Sequence, residues 1–291
     1  MTPDAPTAPG VVMSGTAGRQ TPGIAPRVEP LRPGVPPVAF LVDYDGTIAL
    51  TDVSDTVMAE HVSHADWERI AAIYDAGQMG SRRLMEWEIT LLRATEAELL
   101  ATAAVQPHDP SFAPFVRRAA AAGIPVEVVS DGFGFFIGPA LALLGLTDVP
   151  VVTARTTFDG RVGTVGWPNG NPACGVCGTC KRQRVLDHQA AGRTVVFIGD
   201  GESDRYAAGY ADVIFAKRAL ISICLARGWP YERWTEFADI HAWLNERLEA
   251  WRRDPAGSFP GPAAHPFFCG PEVWGEGVMD PPGGILPPVD D

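Results

Sequence analysis

Two aspartates one residue apart are the first candidates for chemistry in this chain. Asp43 and Asp45 follow the apolar run 38–42, and Gly46 and Thr47 come directly after them. Such a run is typical of a buried strand, so both carboxylates would project from its end. In that position Asp43 could attack a phosphorus atom, while Asp45 protonates the departing alcohol and later activates water. The alternative is a strand end capped by an aspartate and a glycine turn.

A second polar cluster, Ser130-Asp131-Gly132, follows another apolar run. A serine hydroxyl and flexible backbone N–H groups can hold the non-bridging oxygens of a phosphoryl group without net charge. A serine at a strand end is also commonly a turn or a helix cap, and that alternative stays open. Ser130, Asp131 and Gly132 are therefore predicted phosphate ligands.

The chain has only two lysines, Lys181 and Lys217. Lys181 opens a predicted helix, where its ammonium and the helix N-terminus could together neutralise a phosphate. Lys217 follows a predicted strand and is interpreted as a solvated surface residue. Lys181 is therefore the predicted cationic ligand of the phosphate.

Two further aspartates, Asp200 and Asp204, follow a third apolar run and are one helical turn apart. Hard oxygen ligands of this kind suit Mg²⁺. The predicted metal ligands are the carboxylates of Asp43 and Asp200 with the backbone carbonyl of Asp45. Asp204 is predicted to orient Lys181 or a metal-bound water, with a helix cap as the alternative.

These polar residues need strands that bring them to one edge of a sheet. Short apolar runs alternate with helical stretches, which is the pattern of an α/β sheet with crossover helices. Ligands bind beyond the carboxyl ends of parallel strands, where Asp43, Ser130 and Asp200 would lie. The predicted strands are 38–42, 126–129, 149–153, 194–198 and 212–216.

The helices are indicated by capping residues and by apolar spacing. Thr95 and Glu98 resemble a capping box, and a helix opened by Asp109-Pro110 would close at Gly123. Near the C-terminal end, apolar residues recur at helical spacing and predict a core-facing stripe. The members of that stripe are Phe237, Ile240, Leu244, Leu248 and Trp251.

The segment 52–105 is longer than a connection between a strand and the next helix needs to be. It looks helical throughout, with helices predicted over 54–74 and 81–92. Such an insertion over the proposed site would exclude water and select the substrate. Some of its side chains could line the pocket, although each is more commonly a capping or packing residue. These candidates are Asp52, Asp55, Trp67 and Trp87.

Length and composition favour a globular protein of 291 residues with a well-buried core, since 46% of the residues are hydrophobic. The net charge of −12 argues against nucleic acid and against an anionic membrane as partners. No apolar stretch reaches the roughly 20 residues of a membrane helix, and residues 1–10 lack the features of a secretory signal. A cytoplasmic protein with a small phosphorylated metabolite as its partner is expected.

The two ends of the chain differ in composition from its middle. Residues 1–37 and 255–291 together hold 18 of the 27 prolines. Segments so rich in proline bury too little apolar surface to offset the entropy lost on ordering. Disordered tails are therefore predicted over 1–37 and 251–291.

The motifs together resemble those of the haloacid dehalogenase superfamily of aspartyl-phosphate phosphatases, over residues 38 to about 245. The four signatures occur in order as Asp43 to Thr47, Ser130, Lys181, and Gly199 to Asp204. The resemblance implies that Asp43 is the nucleophile, Asp45 the general acid and base, and Asp200 a Mg²⁺ ligand. It also implies that Ser130 and Lys181 bind phosphate.

The fold that this resemblance implies is an α/β, Rossmann-like core with a mainly parallel sheet, formed by residues 38–51 and 106–250. Residues 52–105 would form a small all-helical C1-type cap, as in the phosphoserine-phosphatase-like branch. Phosphoserine phosphatases carry a cap arginine for the substrate carboxylate, and Glu88 aligns there. Arg82 or Arg83 could substitute for it.

One branch of the family looks most similar. Trp167-Pro168-Asn169 and the cysteine-rich run before Lys181 resemble the phosphatases that act on 2-hydroxy-3-keto-5-methylthiopentenyl-1-phosphate in methionine salvage. The hairpin around Asp159-Gly160 resembles theirs as well. A phosphoethanolamine and phosphocholine phosphatase branch has a comparable segment, so the substrate stays open.

Three cysteines, Cys174, Cys177 and Cys180, have a spacing that could offer thiolates to Zn²⁺. His188, Cys224 or a water would be the fourth ligand. A packed or tight-turn role and a redox role are the alternatives. In each case the loop would position Lys181.

Two other functions remain as alternatives to a phosphatase. A phosphotransferase would pass the same phosphoryl group to an acceptor alcohol. A metal-binding module would hold Zn²⁺ at the cysteines and retain only a relict of the active site.

Overall fold

A six-stranded, entirely parallel sheet forms the centre of the described structure, a computed structural model. The model describes residues 24–76, 78–255, 257–260 and 269. The strand order is β3-β2-β1-β6-β7-β8, and β4 and β5 form a separate antiparallel hairpin. The strands are β1 Val38–Val42, β2 Val126–Val129, β3 Val151–Val152, β4 Arg155–Asp159, β5 Val162–Gly166, β6 Thr194–Gly199, β7 Val213–Ala216 and β8 Glu232–Arg233.

Helices cover both faces of the sheet, which is why β1 is apolar at every position and fully buried. One face packs against α5 and α10, and the other packs against α7, α8 and α9. The helices are α1 Val53–His61, α2 His64–Asp75, α3 Ser81–Leu91, α4 Glu96–Ala104, α5 Phe112–Ala121, α6 Ile137–Leu143, α7 Lys181–Ala190, α8 Arg205–Ala208, α9 Arg218–Arg227 and α10 Phe237–Arg253.

The predicted α/β fold is confirmed, and β1 and β2 have the predicted bounds. The strand predicted over 149–153 is shorter, because β3 is an edge strand that pairs with β2 at two positions only. The helix predicted over 54–74 is divided into α1 and α2. The hydroxyl of Ser63 accepts the N–H of Asp66 there and starts a second helix.

Capping signals in the sequence mark the observed helix ends well. The capping box of Thr95 and Glu98 is present at α4, and Gly123 follows the end of α5 with φ +72°. The stripe of α10 is buried at four of its five predicted positions, and Trp251 is half-buried. Within the described ranges, no helix combines the length and the apolar character needed to cross a bilayer.

The insertion between β1 and α5 consists of α1 to α4, as predicted from its helical patterns. Helix α1 packs on α4, and α2 packs on α3. The carboxylate of Asp52 accepts the N–H of Asp55 and begins α1 directly after the turn that follows β1. The insertion therefore lies next to the carboxyl end of the central strand.

Of the predicted tails, residues 1–23 and most of 261–291 lie outside the described residues. Residues 24–37 run along the core. The N–H of Leu31 donates to the carbonyl of Ala191 at 3.0 Å, and the N–H of Ala25 donates to Asn169 Oδ1 at 2.7 Å. At the other end, α10 continues to Arg253, beyond the predicted boundary at 250.

Candidate active site

The carboxyl ends of three adjacent strands bring the predicted residues together. Asp43 follows β1, Ser130 follows β2 and Asp200 follows β6, and these strands are neighbours in the order β2-β1-β6. All three side chains line one cavity of about 370 Å³. The cavity also contacts the helical insertion, so both parts of the chain contribute to its wall.

Lys181 is buried between two carboxylates. Its Nζ lies 2.7 Å from Asp43 Oδ1 and 2.7 Å from Asp204 Oδ1, and 3.3 Å from Ser203 Oγ. Only 2% of the Lys181 side chain is exposed. Burial disfavours the ammonium, but Asp204 and Asp43 outweigh it and raise the pKa of Lys181. The lysine is therefore a fixed positive charge beside the first aspartate.

The carboxylate of Asp204 accepts hydrogen bonds from other groups of the protein. Its Oδ2 accepts the N–H groups of Asp200 at 2.8 Å and of Gly201 at 3.0 Å, while its Oδ1 accepts from Lys181. Both carboxylate oxygens are thus engaged, and the residue is fully buried. This geometry supports the predicted orienting role toward Lys181, and it also serves the predicted alternative of a cap.

Asp45 is oriented by the start of α1. Its Oδ1 accepts the N–H of Val53 at 2.8 Å, and Ser54 Oγ donates to its Oδ2 at 3.3 Å. Desolvation by burial, together with the charges of Asp52 and Asp43, raises the pKa of Asp45 well above its usual value. A carboxyl group whose pKa is raised in this way suits a general acid, which must carry a proton before it gives it up.

Three carboxylates form a compact acidic group. Oxygens of Asp43, Asp200 and Asp204 lie within 4.8 Å of one another. Burial and the neighbouring Asp204 raise the pKa of Asp43, and Lys181 opposes that shift. Burial and Asp204 also raise the pKa of Asp200, to about 6. Hard oxygen donors at this separation, whose mutual repulsion a cation would relieve, fit Mg²⁺.

The side chains of Ser130 and Asp131 have different surroundings. Ser130 is 1% exposed at the cavity floor, and a Cβ on Gly132 would lie 3.3 Å from both Asp45 Oδ2 and Ser130 Oγ. The carboxylate of Asp131 instead accepts from Ser81 Oγ and from the N–H of Thr179. Asp131 therefore ties the insertion and the cysteine loop to the core, which leaves only its backbone for the predicted phosphate contact.

Gly46 is needed for a close approach at this edge. Its φ is +67°, and a Cβ there would overlap Asp200 Oδ2 and crowd the guanidinium of Arg218. We expect Gly46→Ala to lower kcat/KM for phosphate esters by about 10- to 100-fold, because Asp200 must shift. Gly160→Ala is the control: it has φ +60° and no atom within 4 Å of its Cβ. Equal losses of activity in the two variants would contradict this expectation.

Arg218 belongs to the site but was not found by the sequence analysis. Its Nη1 donates to Asp200 Oδ2 at 3.1 Å and its Nη2 to the carbonyl of Leu50 at 2.9 Å. It is the first residue of α9 and has a φ of 50°. An arginine after a strand has no distinctive signal, so its place depends on the packing of β7 beside β6.

The interpretation of Lys217 as a solvated residue was wrong. Its Nζ lies 3.9 Å from the centre of the Trp234 ring and 3.3 Å from the carbonyl of Thr47. Burial lowers the pKa of Lys217 to about 8. The side chain is half-buried because β7 ends close to the turn after β1.

The insertion contributes most of the remaining cavity wall. Of its predicted lining residues, Asp52, Asp55 and Trp67 do line the cavity. Trp87 does not, because it packs in a small cluster with Ile70 and Met79. Glu88, which aligns with the cap arginine of phosphoserine phosphatases, lines the cavity as well. Additional lining residues that the sequence analysis did not assign to the pocket are Ser54, Ala71, Tyr74, Asp75, Ser81, Leu84 and Met85.

The arginines predicted to replace a cap arginine do not line the cavity. Arg82 Nε donates to the carbonyl of Cys177 at 3.2 Å, and its guanidinium stacks on Trp167. Arg83 pairs with Glu86 at 3.0 Å. Both have other partners, so neither supplies a counter-charge for a substrate carboxylate at the wall that the described residues of the insertion form.

The cysteine loop leads directly into α7. Cys180 is the residue before Lys181, and its N–H donates to the carbonyl of Asn169 at 2.9 Å. Cys174, Cys177 and Cys180 do not bring three ligand atoms within 4.8 Å of one another, the spacing found for the aspartates. Of the proposed fourth ligands, His188 lies 3.1 Å from Glu127, and Cys224 is buried in α9. Nothing in this geometry supports the predicted Zn²⁺ site. The predicted role of the loop in positioning Lys181 is consistent with its place directly before α7.

Comparisons with known proteins agree with these motifs. The model of the haloacid dehalogenase-like hydrolase family matches residues 40–209. A Brevibacillus brevis protein named 2-hydroxy-3-keto-5-methylthiopentenyl-1-phosphate phosphatase is 28% identical over 212 residues, covering 70% of this chain and 93% of that protein. A protein of the same name from Exiguobacterium sibiricum is 28% identical over 209 residues, covering 70% and 94%.

Solved structures resemble the fold at low sequence identity. A phospho-aspartyl intermediate analogue of phosphoserine phosphatase has a TM-score of 0.53 and 18% identity, covering 73% of this chain and 97% of that one. A probable phosphoserine phosphatase from Vibrio cholerae has a TM-score of 0.57 and 18% identity, covering 75% and 67%. At such identities the likeness is one of fold.

Proposed function

The chain belongs to the haloacid dehalogenase-like hydrolase family, and from this premise we propose that it is a Mg²⁺-dependent phosphatase of small phosphorylated metabolites. The reaction would pass through a phosphorylated Asp43. The observation that carries the proposal is the buried Lys181 ammonium, held between Asp43 and Asp204 at 2.7 Å from each. Oxygens of these two carboxylates and of Asp200 lie within 4.8 Å of one another. A carboxylate nucleophile and the charges that a phosphoryl group requires are therefore in one place.

The chain's own groups can be assigned to each part of the reaction. A carboxylate oxygen of Asp43 forms a bond to phosphorus as the bond to the alcohol oxygen breaks, and Asp45 gives that oxygen its proton. Asp45 then accepts a proton from the water that attacks the phosphorus of the aspartyl phosphate. That step releases inorganic phosphate and restores Asp43.

The charge that develops on the phosphoryl oxygens needs fixed partners. We propose that Lys181, the hydroxyl of Ser130 and the backbone N–H of Gly132 hold those oxygens. The lining of the cavity by Ser130 and Gly132, and the 2.7 Å between Lys181 Nζ and Asp43 Oδ1, support this assignment. Asp43 and Asp200 would hold Mg²⁺, with the carbonyl of Asp45 as a third proposed ligand. When bound, the metal neutralises negative charge that the acidic group cannot tolerate.

We propose the same division of the chain as the sequence indicated. Residues 38–51 and 106–250 would form the catalytic core, and residues 52–105 the cap. The shared cavity supports this division, because its phosphate end lies on the core and its opposite wall lies on the insertion.

Removal of divalent metal tests the proposal directly. We expect the protein, assayed on a panel of phosphorylated metabolites, to release phosphate with Mg²⁺ present. Dialysis against EDTA should lower that rate at least about 100-fold, because the carboxylates would otherwise repel the phosphate. Re-addition of Mg²⁺ is the control and should restore the rate. Full activity in the metal-free protein would refute Mg²⁺ dependence.

Two substrate classes are candidates. The names of the relatives favour the methionine-salvage phosphate ester, which carries no positive charge. The acidic cap wall without an arginine favours instead an amine-bearing ester such as phosphoethanolamine or phosphocholine, and disfavours phosphoserine. Transfer to an acceptor alcohol is separated from hydrolysis by comparing product formation with and without added alcohols.

A further inference from the structure

We infer that the cap wall of the cavity is a cation subsite, and that the preferred substrates are phosphate monoesters whose alcohol carries a positively charged nitrogen. This inference rests on the proposed phosphatase function, because it assigns the part of the same cavity that faces the leaving group. Its central residue is Glu88 of α3, which the sequence analysis aligned with a substrate-binding arginine of phosphoserine phosphatases and to which it gave no role.

Glu88 is a buried carboxyl group that lacks a protein partner. It is 6% exposed and lines the cavity. Among the described residues, no hydrogen-bond donor or cation contacts its carboxylate. Buried carboxylates in proteins are normally paired, since an unpaired one costs several kilocalories of solvation free energy. A ligand that enters the cavity is the partner that this position lacks.

The surroundings of Glu88 determine the charge of that ligand. Burial, and next the charges of Asp55 and Asp52, raise the pKa of Glu88 well above its usual value. Asp55 and Asp75 also line this wall, at exposed positions. Desolvation, and next the charges of Asp52 and Asp75, raise the pKa of Asp55 to about 7. These raised pKa values mean that the carboxyl groups of the wall ionise with difficulty by themselves, and a cation brought by the substrate would favour their ionised form and relieve their mutual repulsion.

No side chain among the described residues supplies that cation. Arg82 and Arg83 are paired elsewhere, with the carbonyl of Cys177 and with Glu86. Arg218 lines the core end of the cavity, where it pairs with Asp200, and Lys181 is held between Asp43 and Asp204. Among the described residues, Arg218 and Lys181 are thus both paired with carboxylates at the phosphate end, and the carboxyl groups of the cap end form no ion pair.

Two aromatic rings complete the subsite. Trp67 and Tyr74 of α2 line the same wall as Glu88 and are half-buried. Aromatic faces attract ammonium groups, including quaternary ones that cannot donate hydrogen bonds. A cavity of about 370 Å³ suits a small ester with its phosphate at Asp43 and its nitrogen at Glu88.

The test compares esters that differ only in charge. Phosphocholine is paired with 3,3-dimethylbutyl phosphate, and phosphoethanolamine is paired with propyl phosphate. Phosphoserine adds a carboxylate to phosphoethanolamine. In each of the two pairs, we expect the cationic ester to have a kcat/KM at least about tenfold higher than that of its neutral counterpart. Phosphoserine should fall below phosphoethanolamine by a similar factor, because its carboxylate would face Glu88 without a counter-charge.

Glu88→Gln keeps the shape of the side chain and removes its charge. We expect this variant to lose most of the preference for the cationic esters, while kcat/KM for the two neutral esters stays within about threefold of the native value. Glu86→Gln is the matched control, because Glu86 is on the same helix and does not line the cavity. It should keep the full preference.

A binding measurement keeps the inference testable apart from catalysis. Measured by titration calorimetry, the Glu88→Gln substitution should raise the Kd of phosphocholine at least about fivefold and leave the Kd of inorganic phosphate unchanged. Equal kcat/KM for charged and neutral esters, or equal losses on both in Glu88→Gln, would overturn the cation subsite and leave the phosphatase intact. If no ester is hydrolysed, the phosphatase proposal fails, and unchanged phosphocholine binding in Glu88→Gln would then overturn the subsite too.

Discussion

Replacing Asp43 by asparagine is expected to lower phosphate release at least about 1000-fold, because the amide oxygen cannot form the aspartyl phosphate. The side chain keeps its shape, so the phosphate site should remain assembled. Lys181 also keeps its second partner, Asp204, at 2.7 Å. Steady-state phosphate release on the best substrate of the panel, with Mg²⁺ present, measures the loss.

The stability of the Asp43→Asn variant separates mechanism from folding. Burial already disfavours the charge of Asp43, which is 5% exposed, so its removal should leave the unfolding free energy unchanged or raise it. Asp148→Asn is the control, since Asp148 is exposed and does not line the cavity. If the Asp43→Asn variant releases phosphate at the native rate, the proposed covalent intermediate is refuted.

Replacing Lys181 by methionine is expected to have the largest effect on both stability and activity. The variant leaves Asp43 and Asp204 buried without their shared ammonium, which costs about 3–5 kcal/mol of unfolding free energy. Phosphate release should also fall at least about 100-fold, because no other lysine reaches the phosphoryl oxygens. Urea denaturation and the phosphate assay measure the two effects.

The stability loss in Lys181→Met should depend on pH in a defined direction. Burial already raises the folded-state pKa of Asp43, and Lys181 is the group that opposes this shift. Without Lys181, the pKa of Asp43 in the folded state rises further. Ionisation of Asp43 therefore destabilises the folded variant over a wider range of pH. The difference between native and variant stability should therefore be small below the unfolded pKa of about 4 and grow as pH rises.

Urea midpoints at pH 5 and pH 8 test this dependence. Arg117→Met is the control, since Arg117 is an exposed cation on α5 and should show no comparable loss. A loss in Lys181→Met that is the same at both pH values would contradict the assignment of Lys181 as the compensating charge. A loss under 1 kcal/mol would contradict it as well.

Much of the site was predictable because its residues stand at strand ends. The run before Asp43 is apolar throughout, and the runs before Ser130 and Asp200 are apolar apart from Glu127 and Thr194. Parallel strands with both faces covered favour that pattern. Once three such strands are expected in one sheet, their polar ends must share an edge. The order of the signatures then sufficed to indicate the family.

The charge of the cap wall was not predictable in the same way. Glu88 was identified as a departure from an expected arginine, but its burial and its lack of a partner arise from how α3 packs beside α2 and β5. Asp75 and Tyr74 had no signal at all, because acidic and aromatic residues on a helix occur equally on surfaces and in pockets. Arg218 and Lys217 were missed for a similar reason.

The sequence by itself determined the parallel sheet, the edge that carries the candidate site, the capped helices and the identity of the candidate phosphate-binding residues. Those features are encoded locally, in apolar runs, turn glycines and caps that act over a few residues. Only the tertiary structure decided which charges lie close together: Lys181 between Asp43 and Asp204, Arg218 on Asp200, and an unpaired Glu88 opposite them. Electrostatic energy depends on distance and burial between residues far apart in the chain, and neither quantity is written in their spacing.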